Sequence, residues 1–499
     1  MKRFPAILKK IKSPKLTINS LNDKLGIIFS FSTKLLILIS IIVVIILLLQ
    51  ELFVPQTFRL SRISVPNSFA EKGYSSEVLG SRLSDKLNDI VKTGSESLEV
   101  IESIILKEDK EKSYQRNADL SSFEIQVGLF NISITEVIVF LREKLGYINI
   151  VMDGDLTEEN TSLTFSMRLK ANGELIKYNR LEQFYNDDLN DKYNALDKLI
   201  NKSGEFVIFY NDPIILLSYY ISEKREEITD SLFRMITYDD YFDDQIKLWT
   251  YVIWGHTLFI EADEIYYNTF EIDKELYEAA ISKYDKALET APEFVTSIGW
   301  NMASYYIDDK QYSKANEIYN KILAIDKKNI DAQYFLAENY NILDKKEKAI
   351  NSYIKVSKLD LDGEKGLDAL IKIAGIYKSV SDHIKSKEYY NKVINNENAD
   401  EFNLATALSG YADVLAFENK YDEALVYYVK ALKYNRSVDY YIKIAESYAY
   451  LNDVVAFTNY LKLAIDEGYE LNDSILNTPL YVKFKDTELM QFLLKEYVY

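Results

Sequence analysis

The chain has no cysteine and only two histidines, His256 and His383, among its 499 residues. Disulfides, thiolate nucleophiles and cysteine-ligated metals are therefore excluded, as is a site built from several histidines. Glycine and proline number only 16 and 7, which favours long helices over turn-rich β architecture. Hydrophobic residues make up 48% and charged residues 27%, as in folded proteins. At this length two or three domains are expected.

The charge is distributed unevenly along the chain. Residues 1–34 carry one acid, Asp23, and eight basic side chains: Lys2, Arg3, Lys9, Lys10, Lys12, Lys15, Lys24 and Lys34. The whole chain nevertheless has a net charge of −18, so the remainder is strongly acidic. Such a body repels phosphate backbones, and nucleic acid is not an expected partner.

Residues 35–54 predict a transmembrane helix. The segment from Leu35 to Leu49 reads LLILISIIVVIILLL. Extended to Val54 it reaches twenty residues, roughly 30 Å as a helix, which matches the hydrocarbon thickness of a bilayer. A cleaved signal peptide is the alternative, but QELFVPQTFRLSR follows without a small-residue cleavage site.

The basic flank sets the expected orientation of this anchor. Positive residues remain in the cytoplasm, so residues 1–34 form a cytoplasmic tail and everything after residue 54 is periplasmic or extracellular. The lipid bilayer around residues 35–54 is thus the first expected partner of a single-pass membrane protein.

Residues 55–222 predict a small α+β domain. TFRLSRISVP alternates apolar and polar residues and predicts a strand ending at Pro66. A helix follows in YSSEVLGSRLSDKLNDIV, with Ser75 or Ser76 as its cap. The next predicted elements are a strand in FEIQVG, a helix in SITEVIVFLREKLG and a strand in YINIVM. SLTFSMRLK and ELIKY predict a hairpin around Asn172 and Gly173.

This order of elements resembles ring-building modules of bacterial envelope machines. The segments ISVPNSFAEKGYSSEVLGSRLSDKL and NDPIILLSYYISE are also similar to an uncharacterised bacterial membrane-anchored repeat family. That resemblance implies the architecture and no particular activity.

The acidic segment around Asp153 and Asp155, with Glu158 and Glu159, is a candidate for calcium or magnesium. A calcium loop needs acids at alternating positions, then glycine, then glutamate at the twelfth. Gly154 stands between the aspartates instead, so a solvated turn is the prediction. We expect no metal, no cofactor and no catalytic centre, since no pair of carboxylates has a defining spacing.

Self-similarity is the strongest pattern, and it occupies residues 243–499. Six small or apolar residues recur at intervals of 33 to 38 residues: Ala280, Ala315, Ala349, Ser386, Ala424 and Phe457. Four residues after each stands Tyr284, Tyr319, Tyr353, Tyr390, Tyr428 or Leu461. Twelve residues before the last five alignment positions stand Ala303, Ala337, Ala374, Ala412 and Ala445. Positions three and four apart share a helix face, so small residues allow close helix packing. The tyrosines are expected to fill the gaps, with hydroxyls free to reach the surface.

The pattern closely resembles the tetratricopeptide-repeat family, with Pro292 at the position that ends a repeat. The resemblance implies an α-solenoid of helix pairs, and the final segment resembles the cap of such arrays. The first pair is longer than the others. The expected fold class is therefore mainly α: a transmembrane helix, a small α+β domain and a C-terminal solenoid.

In this family the first helices line a concave groove, with positions two, five and nine facing inward. The resemblance implies these groove residues: Ser297, Trp300, Ser304, Asp331, Tyr334, Glu338, Asp368, Ile371, Gly375, Thr406, Ser409, Asp413, Asp439, Ile442 and Glu446. Six of them are acidic and none is basic. The set lacks the lysine, asparagine and arginine residues with which similar proteins clamp a C-terminal carboxylate. A protein or peptide with basic residues and an apolar anchor is the expected partner. Alternatively, the acids merely solvate an acidic surface.

Three functional interpretations follow. The first is a membrane-anchored scaffold that binds a protein partner outside the cytoplasm. The second is a signalling or stress-response component that transmits a ligand event through the N-terminal tail. The third, an enzyme, would need carboxylates of the α+β domain as acid and base.

Overall fold

The computed structural model describes residues 56–106, 113–114, 148–186, 189–471, 473–476 and 478–497. These form two compact units: one contains the described residues up to Thr250 except Ile105 and Leu106, and the other those from Tyr251 onward. The predicted tail, the predicted anchor at 35–54, the FEIQVG strand and the SITEVIVFLREKLG helix lie outside the described residues. Within the described ranges, no helix combines the length and apolarity needed to cross a bilayer.

The first unit begins with a four-stranded sheet and its helices. The elements in chain order are β1 (Gln56–Ser64), α1 (Asn67–Ala70), α2 (Ser76–Leu106), β2 (Ile148–Glu159), β3 (Ser162–Ala171) and β4 (Glu174–Phe184). The strand order is β1-β2-β3-β4. β1 pairs with β2 in parallel, and the other two pairings are antiparallel. The strands predicted in TFRLSRISVP, YINIVM and the hairpin are confirmed.

The hairpin turn forms where the sequence predicts it. Asn172 and Gly173 both adopt positive φ, 50° and 87°, and join β3 to β4. Asparagine and glycine tolerate this left-handed conformation, which matches the twist of the flanking strands. The start of α2 is also as predicted, because the Ser75 hydroxyl accepts a hydrogen bond from the Val78 amide at 3.4 Å.

The predicted turn at Asp153, Gly154 and Asp155 is wrong, because all three lie within β2. On one face of the sheet, Lys170 reaches Asp153 at 2.6 Å and Arg168 reaches Asp155 at 2.6 Å. Burial alone would raise the pKa of Asp153, but Lys170 and Arg168 outweigh it and the pKa is lowered. The aspartates are therefore held by cations of the neighbouring strand rather than solvated in a loop.

Gly154 lies on the opposite face of β2. A Cβ at this position would lie 2.8 Å from Cε2 of Phe165, whose ring is buried. Met152 and Leu156, two residues to either side, are buried as well. The alternation of a strand thus places the acids on one face and the glycine under an aromatic ring on the other.

The rest of the first unit is helical: α3 (Leu189–Asn211), α4 (Pro213–Ser222), α5 (Glu226–Tyr238) and the first part of α6 (Asp244–Thr269). Apolar side chains of α2 and α3 meet those of the sheet around a small cavity lined by Leu83, Phe165 and Leu199 among others. α4 is buried along most of its length, and the Asp212 carboxylate accepts a hydrogen bond from the Ile215 amide at 3.3 Å. This carboxylate also accepts one from the Tyr114 hydroxyl at 3.1 Å.

The second unit is a stack of helix pairs. After α6 come α7 (Lys274–Thr290), α8 (Val295–Asp308), α9 (Tyr312–Ile325), α10 (Ile330–Ile342), α11 (Lys346–Leu359), α12 (Glu364–Ser379), α13 (His383–Ile394), α14 (Glu401–Phe417), α15 (Tyr421–Tyr434), α16 (Val438–Tyr450) and α17 (Val454–Asp466). Short helices α18 (Asp473–Leu476), α19 (Pro479–Val482) and α20 (Glu488–Tyr497) close the array. Pro292 opens a short 3₁₀ turn between α7 and α8.

The predicted packing positions of the repeats are confirmed. The six alignment residues are all fully buried, and so are the five alanines of the first helices. The aromatic residues four positions after the alignment residues are at most 4% exposed. Because alanine is short, each first helix approaches its second helix closely, and each large ring fills the space between neighbouring pairs. The described residues therefore form a mainly helical protein with a small sheet and a tetratricopeptide-like array.

The end of the array is covered by the short helices. Phe457 and Leu461 of α17 pack against Tyr481, Phe484, Met490 and Leu493. The last pair has no further pair to bury its apolar side, and these residues supply that cover.

Candidate functional site

The predicted groove residues lie on the first helices α8, α10, α12, α14 and α16, three on each. We call the surface formed by these fifteen residues and their neighbours the first-helix face. Ile371 and Ser409 are buried, whereas the other thirteen are partly or fully exposed. Consecutive first helices α10 and α12, and α12 and α14, pack against each other. The structure therefore brings the predicted residues onto adjoining helices of one unit.

An aromatic cluster occupies the α8–α10 end of this face. Trp300 contacts Tyr319 and Phe335, with ring centroids 5.8 and 6.2 Å apart. Tyr319 and Phe335 are stacked at 6.0 Å, and Tyr334 meets Phe335 edge-on at 5.8 Å. Phe335 is 40% exposed. A large aromatic ring held by three others and still open to solvent suits contact with an apolar side chain.

Lysines accompany several of the predicted acids. Lys365 pairs with Asp331, and Lys372 lies 3.3 Å from Glu338. In each pair the lysine follows the acid by 34 residues, about one repeat. The first helices lie side by side, so a lysine on one meets an acid on the one before. The acidity expected from the fifteen positions is therefore partly neutralised by residues just beside them.

Asp413 is the most strongly paired acid of the face. Lys378 and Lys443 each approach one of its carboxylate oxygens to 2.8 Å. Burial alone would raise the pKa of Asp413, but Lys443 and Lys378 outweigh it, and the pKa is lowered. Lys443 also donates to the Ser409 hydroxyl at 3.2 Å. The Asp413 carboxylate is thus held by two ammonium groups, one from the preceding first helix and one from the following one.

The prediction that the tyrosine hydroxyls are free to reach the surface is wrong for the best-packed pairs. Tyr353 donates to Glu338, and Tyr428 donates to Asp413 at 2.8 Å. On the first-helix face itself, Tyr334 donates to Asp368 at 2.5 Å. A buried hydroxyl needs a hydrogen-bond partner, and the carboxylate at position nine of the first helix provides one.

Asp368, Asp439 and Glu446 differ from the other predicted acids, because none of the three forms a salt bridge with a described residue. Asp439 is exposed. Burial raises the pKa of Glu446, and Lys443 counteracts the rise only in part. Two of these three acids lie on α16, at the C-terminal end of the face, whereas Asp368 lies on α12 and accepts a hydrogen bond from Tyr334.

His256 is a packing residue of the second unit, since it is 6% exposed. Burial lowers its pKa to about 4. Across the described part of the chain, no three histidine or acidic side chains converge on a point that could hold a metal ion.

Sequence reasoning missed Phe335, Lys372 and Lys443, which share the sixth position of their first helices. The signal was present, because Lys372 follows Glu338 by one repeat length. This spacing could be interpreted only from the structure. There, position six of a first helix lies beside position nine of the previous first helix.

No protein-family model matches the chain, and no curated protein matches it. Among solved structures, MamA is 26% identical over 32% of this chain and 90% of its own, with a TM-score of 0.28. YrrB, described as a TPR protein with an unusual peptide-binding site, is 18% identical over 40% of this chain and 97% of its own, with a TM-score of 0.30. PilW, described as a type IV pilus biogenesis factor, is 16% identical over 40% and 98%, with a TM-score of 0.32. At such scores the similarities carry no argument about function, and the repeat fold rests on the helix pairs of this chain.

Proposed function

We propose that this protein is a membrane-anchored scaffold that binds a peptide segment of a protein partner along the first-helix face. The observation that carries the proposal is the aromatic cluster around Phe335. Its ring is 40% exposed and is held by Trp300, Tyr319 and Tyr334, on a face that also carries the acids and lysines described above. Apolar anchors surrounded by polar groups are typical of peptide-recognition sites.

The proposed partner has two features at opposite ends of the bound segment. An apolar or aromatic side chain contacts Trp300 and Phe335 at the α8–α10 end. A lysine or arginine lies near Asp439 and Glu446 at the α16 end, where the acids form no salt bridge with described residues. Of the six acids first expected to attract basic residues, the proposal thus relies on the two of α16, because the third acid without a salt bridge, Asp368, accepts a hydrogen bond from Tyr334.

The proposed location follows from residues 1–54. The apolar segment 35–54 anchors the chain, the basic tail stays in the cytoplasm, and both units lie outside it. A reporter fused before residue 34 or after residue 499 tests the orientation. Activity of a periplasm-specific reporter at the N-terminus, and not at the C-terminus, would contradict it.

Binding is tested with full-length protein in detergent micelles and a displayed library of random dodecapeptides. We expect enrichment of peptides that contain an aromatic or large aliphatic residue. The variant Trp300→Ala/Phe335→Ala should lose most of this binding. Val426, 52% exposed on the second helix α15, supplies the matched control Val426→Ala, which should bind like wild type. If no peptide is enriched, or if both variants bind equally, the proposal fails.

A further inference from the structure

Gly375 lies in the interior of a helix, at a position where no close contact requires glycine. It occupies position nine of α12, where α10 has Glu338 and α14 has Asp413. A Cβ added here would meet only the Tyr390 hydroxyl, at 4.0 Å, so packing does not require glycine. Glycine inside a helix is less favourable than alanine, because it loses more backbone freedom on folding. The chain therefore carries a gap on the first-helix face that its own packing does not explain.

A second glycine, Gly410, borders this gap on the next helix, and the Tyr390 ring fills the place of its missing side chain. It occupies position six of α14, where α12 has Lys372 and α16 has Lys443. Here the reason is steric, because a Cβ would overlap the ring of Tyr390. At this point both the position-nine acid and the position-six lysine of the neighbouring repeats are replaced by glycine. We call Gly375, Gly410 and the Tyr390 hydroxyl the glycine notch.

The hydroxyl of Tyr390 is the second feature that indicates a bound ligand. In the preceding pair Tyr353 donates its hydroxyl to Glu338, and in the following pair Tyr428 donates to Asp413. Tyr390 is 4% exposed and occupies the same repeat position, yet its hydroxyl forms no hydrogen bond with any residue the structure describes. The partner that the repeat geometry would supply is the side chain missing from Gly375.

Two lysines near the notch supply positive charge for an anionic group. Asp413, which interacts with Tyr390, lies between Lys378 and Lys443. Lys443 also interacts with Glu446, and Glu338 on the other side is paired with Lys372. A ligand anion at the notch would therefore share the ammonium groups of Lys378 and Lys443 with Asp413 and Glu446.

We propose that the glycine notch binds a carboxylate of the peptide ligand, which accepts a hydrogen bond from the Tyr390 hydroxyl. The ligand carboxylate takes the place that Glu338 and Asp413 hold in the adjacent repeats. It comes from an aspartate or glutamate side chain or from the end of the peptide. This inference rests on the proposed peptide-binding function and adds a chemical requirement to it.

The position of the notch predicts the spacing in the ligand. Neighbouring helices pack about 10 Å apart, so α12 lies about 20 Å from the Trp300 anchor on α8. An extended chain covers that distance in about six residues. A peptide would place its apolar anchor, its carboxylate and its basic residue along the face in that order.

The test pans the dodecapeptide library against full-length wild type, Gly375→Glu and Tyr390→Phe. Gly375→Glu supplies the carboxylate from the chain itself and should remove the preference for acidic residues. Tyr390→Phe should weaken binding of the enriched peptide about tenfold or more, the usual effect of losing a hydrogen bond to a charged group. Synthetic peptides with glutamate changed to glutamine, or with a free or amidated end, identify the source of the carboxylate.

Two matched controls separate binding from folding. Val426→Glu places the same side chain on the second helix α15, where Val426 is 52% exposed and lies outside the first-helix face, and should retain the preference for acidic residues. Tyr353→Phe removes a hydroxyl already bonded within the chain and should bind peptide like wild type. The melting temperature of Gly375→Glu should rise rather than fall.

The outcomes distinguish the carboxylate site from the scaffold proposal. Enriched peptides without an acidic preference, or with one that survives in Gly375→Glu, overturn the carboxylate site and leave the scaffold proposal standing. If wild type enriches no peptide, both proposals fail.

Discussion

Tyr428 donates a hydrogen bond to Asp413, fifteen residues earlier on the other helix of its pair, at 2.8 Å. The hydroxyl is thereby satisfied although the ring is buried, and the carboxylate is held in place for Lys378 and Lys443. The Asp413 carboxylate thus takes part both in packing within one helix pair and in salt bridges between neighbouring helix pairs. The residue at position nine of a first helix therefore affects both the stability of the array and the charge of its binding face.

Removal of this hydroxyl should destabilise the repeat array. Tyr428→Phe loses a hydrogen bond to a charged acceptor, and we expect the free energy of unfolding to fall by about 1.5 kcal/mol. Tyr390→Phe is the matched control, because its hydroxyl forms no hydrogen bond with a described residue, and the change should stay within about 0.5 kcal/mol. Urea denaturation followed by circular dichroism measures both. Equal losses would contradict the assignment of these hydroxyls.

The salt bridges of Asp413 and of Asp331 should contribute differently to stability. Asp413→Asn leaves Lys378 and Lys443 beside a neutral group whose side chain is only 18% exposed. We expect a loss of about 2 kcal/mol, between the values typical of exposed and buried pairs. In the Asp331–Lys365 pair both side chains are nearly half exposed. Asp331→Asn should therefore cost about 0.5 kcal/mol or less.

The same two variants respond differently to salt. Exposed pairs are screened within about 10 Å at 0.1 M salt, whereas partly buried pairs are screened less. The difference between wild type and Asp413→Asn should persist at 0.5 M sodium chloride. If it disappears as fully as that of Asp331→Asn, Asp413 is not shielded as its exposure indicates.

The repeat array could be predicted well because its signal is local and recurs. Small residues at fixed intervals, such as Ala349 and Ala424, can only mark close helix contacts, and both are fully buried. Asn172 and Gly173 were equally informative, since few residues tolerate positive φ. In these places the residue type alone restricts the backbone or the contact.

Other features depend on which residue lies opposite, and the sequence does not state that directly. Asp153 and Asp155 fit a turn locally, but Arg168 and Lys170 on the next strand hold them in a sheet. Glu338 was expected to be free for a partner, but Lys372 lies beside it. The location of candidate surfaces was thus predictable, whereas their net charge was not.

Gly154 provides a test of the corrected strand. Gly154→Ala places a methyl group against the buried ring of Phe165 and should lower the free energy of unfolding of the first unit by about 1–3 kcal/mol. The double variant Gly154→Ala/Phe165→Leu removes the ring that the methyl meets. It should therefore cost less than the sum of the two single changes, as denaturation of all three variants would reveal. Strict additivity would contradict the contact.

His256 should make the second unit sensitive to acid. Its pKa is lowered by burial to about 4, against about 6.5 in an unfolded chain. Between these values the unfolded state binds the proton more readily, so stability is present above pH 6.5 and is lost as the pH falls toward 4. From pH 7 to pH 5 the expected loss from this residue is about 2 kcal/mol.

His256→Leu isolates that contribution, because other groups titrate in both proteins. The stability of wild type relative to the variant, measured by denaturation at pH 7, 6 and 5, should fall by about 2 kcal/mol over the range. Neither ring nitrogen has a hydrogen-bond partner among the described residues, so the apolar replacement should not be penalised at pH 7. A difference that stays constant with pH would mean that the imidazole has the same pKa in the folded and the unfolded protein, which would contradict the burial of His256.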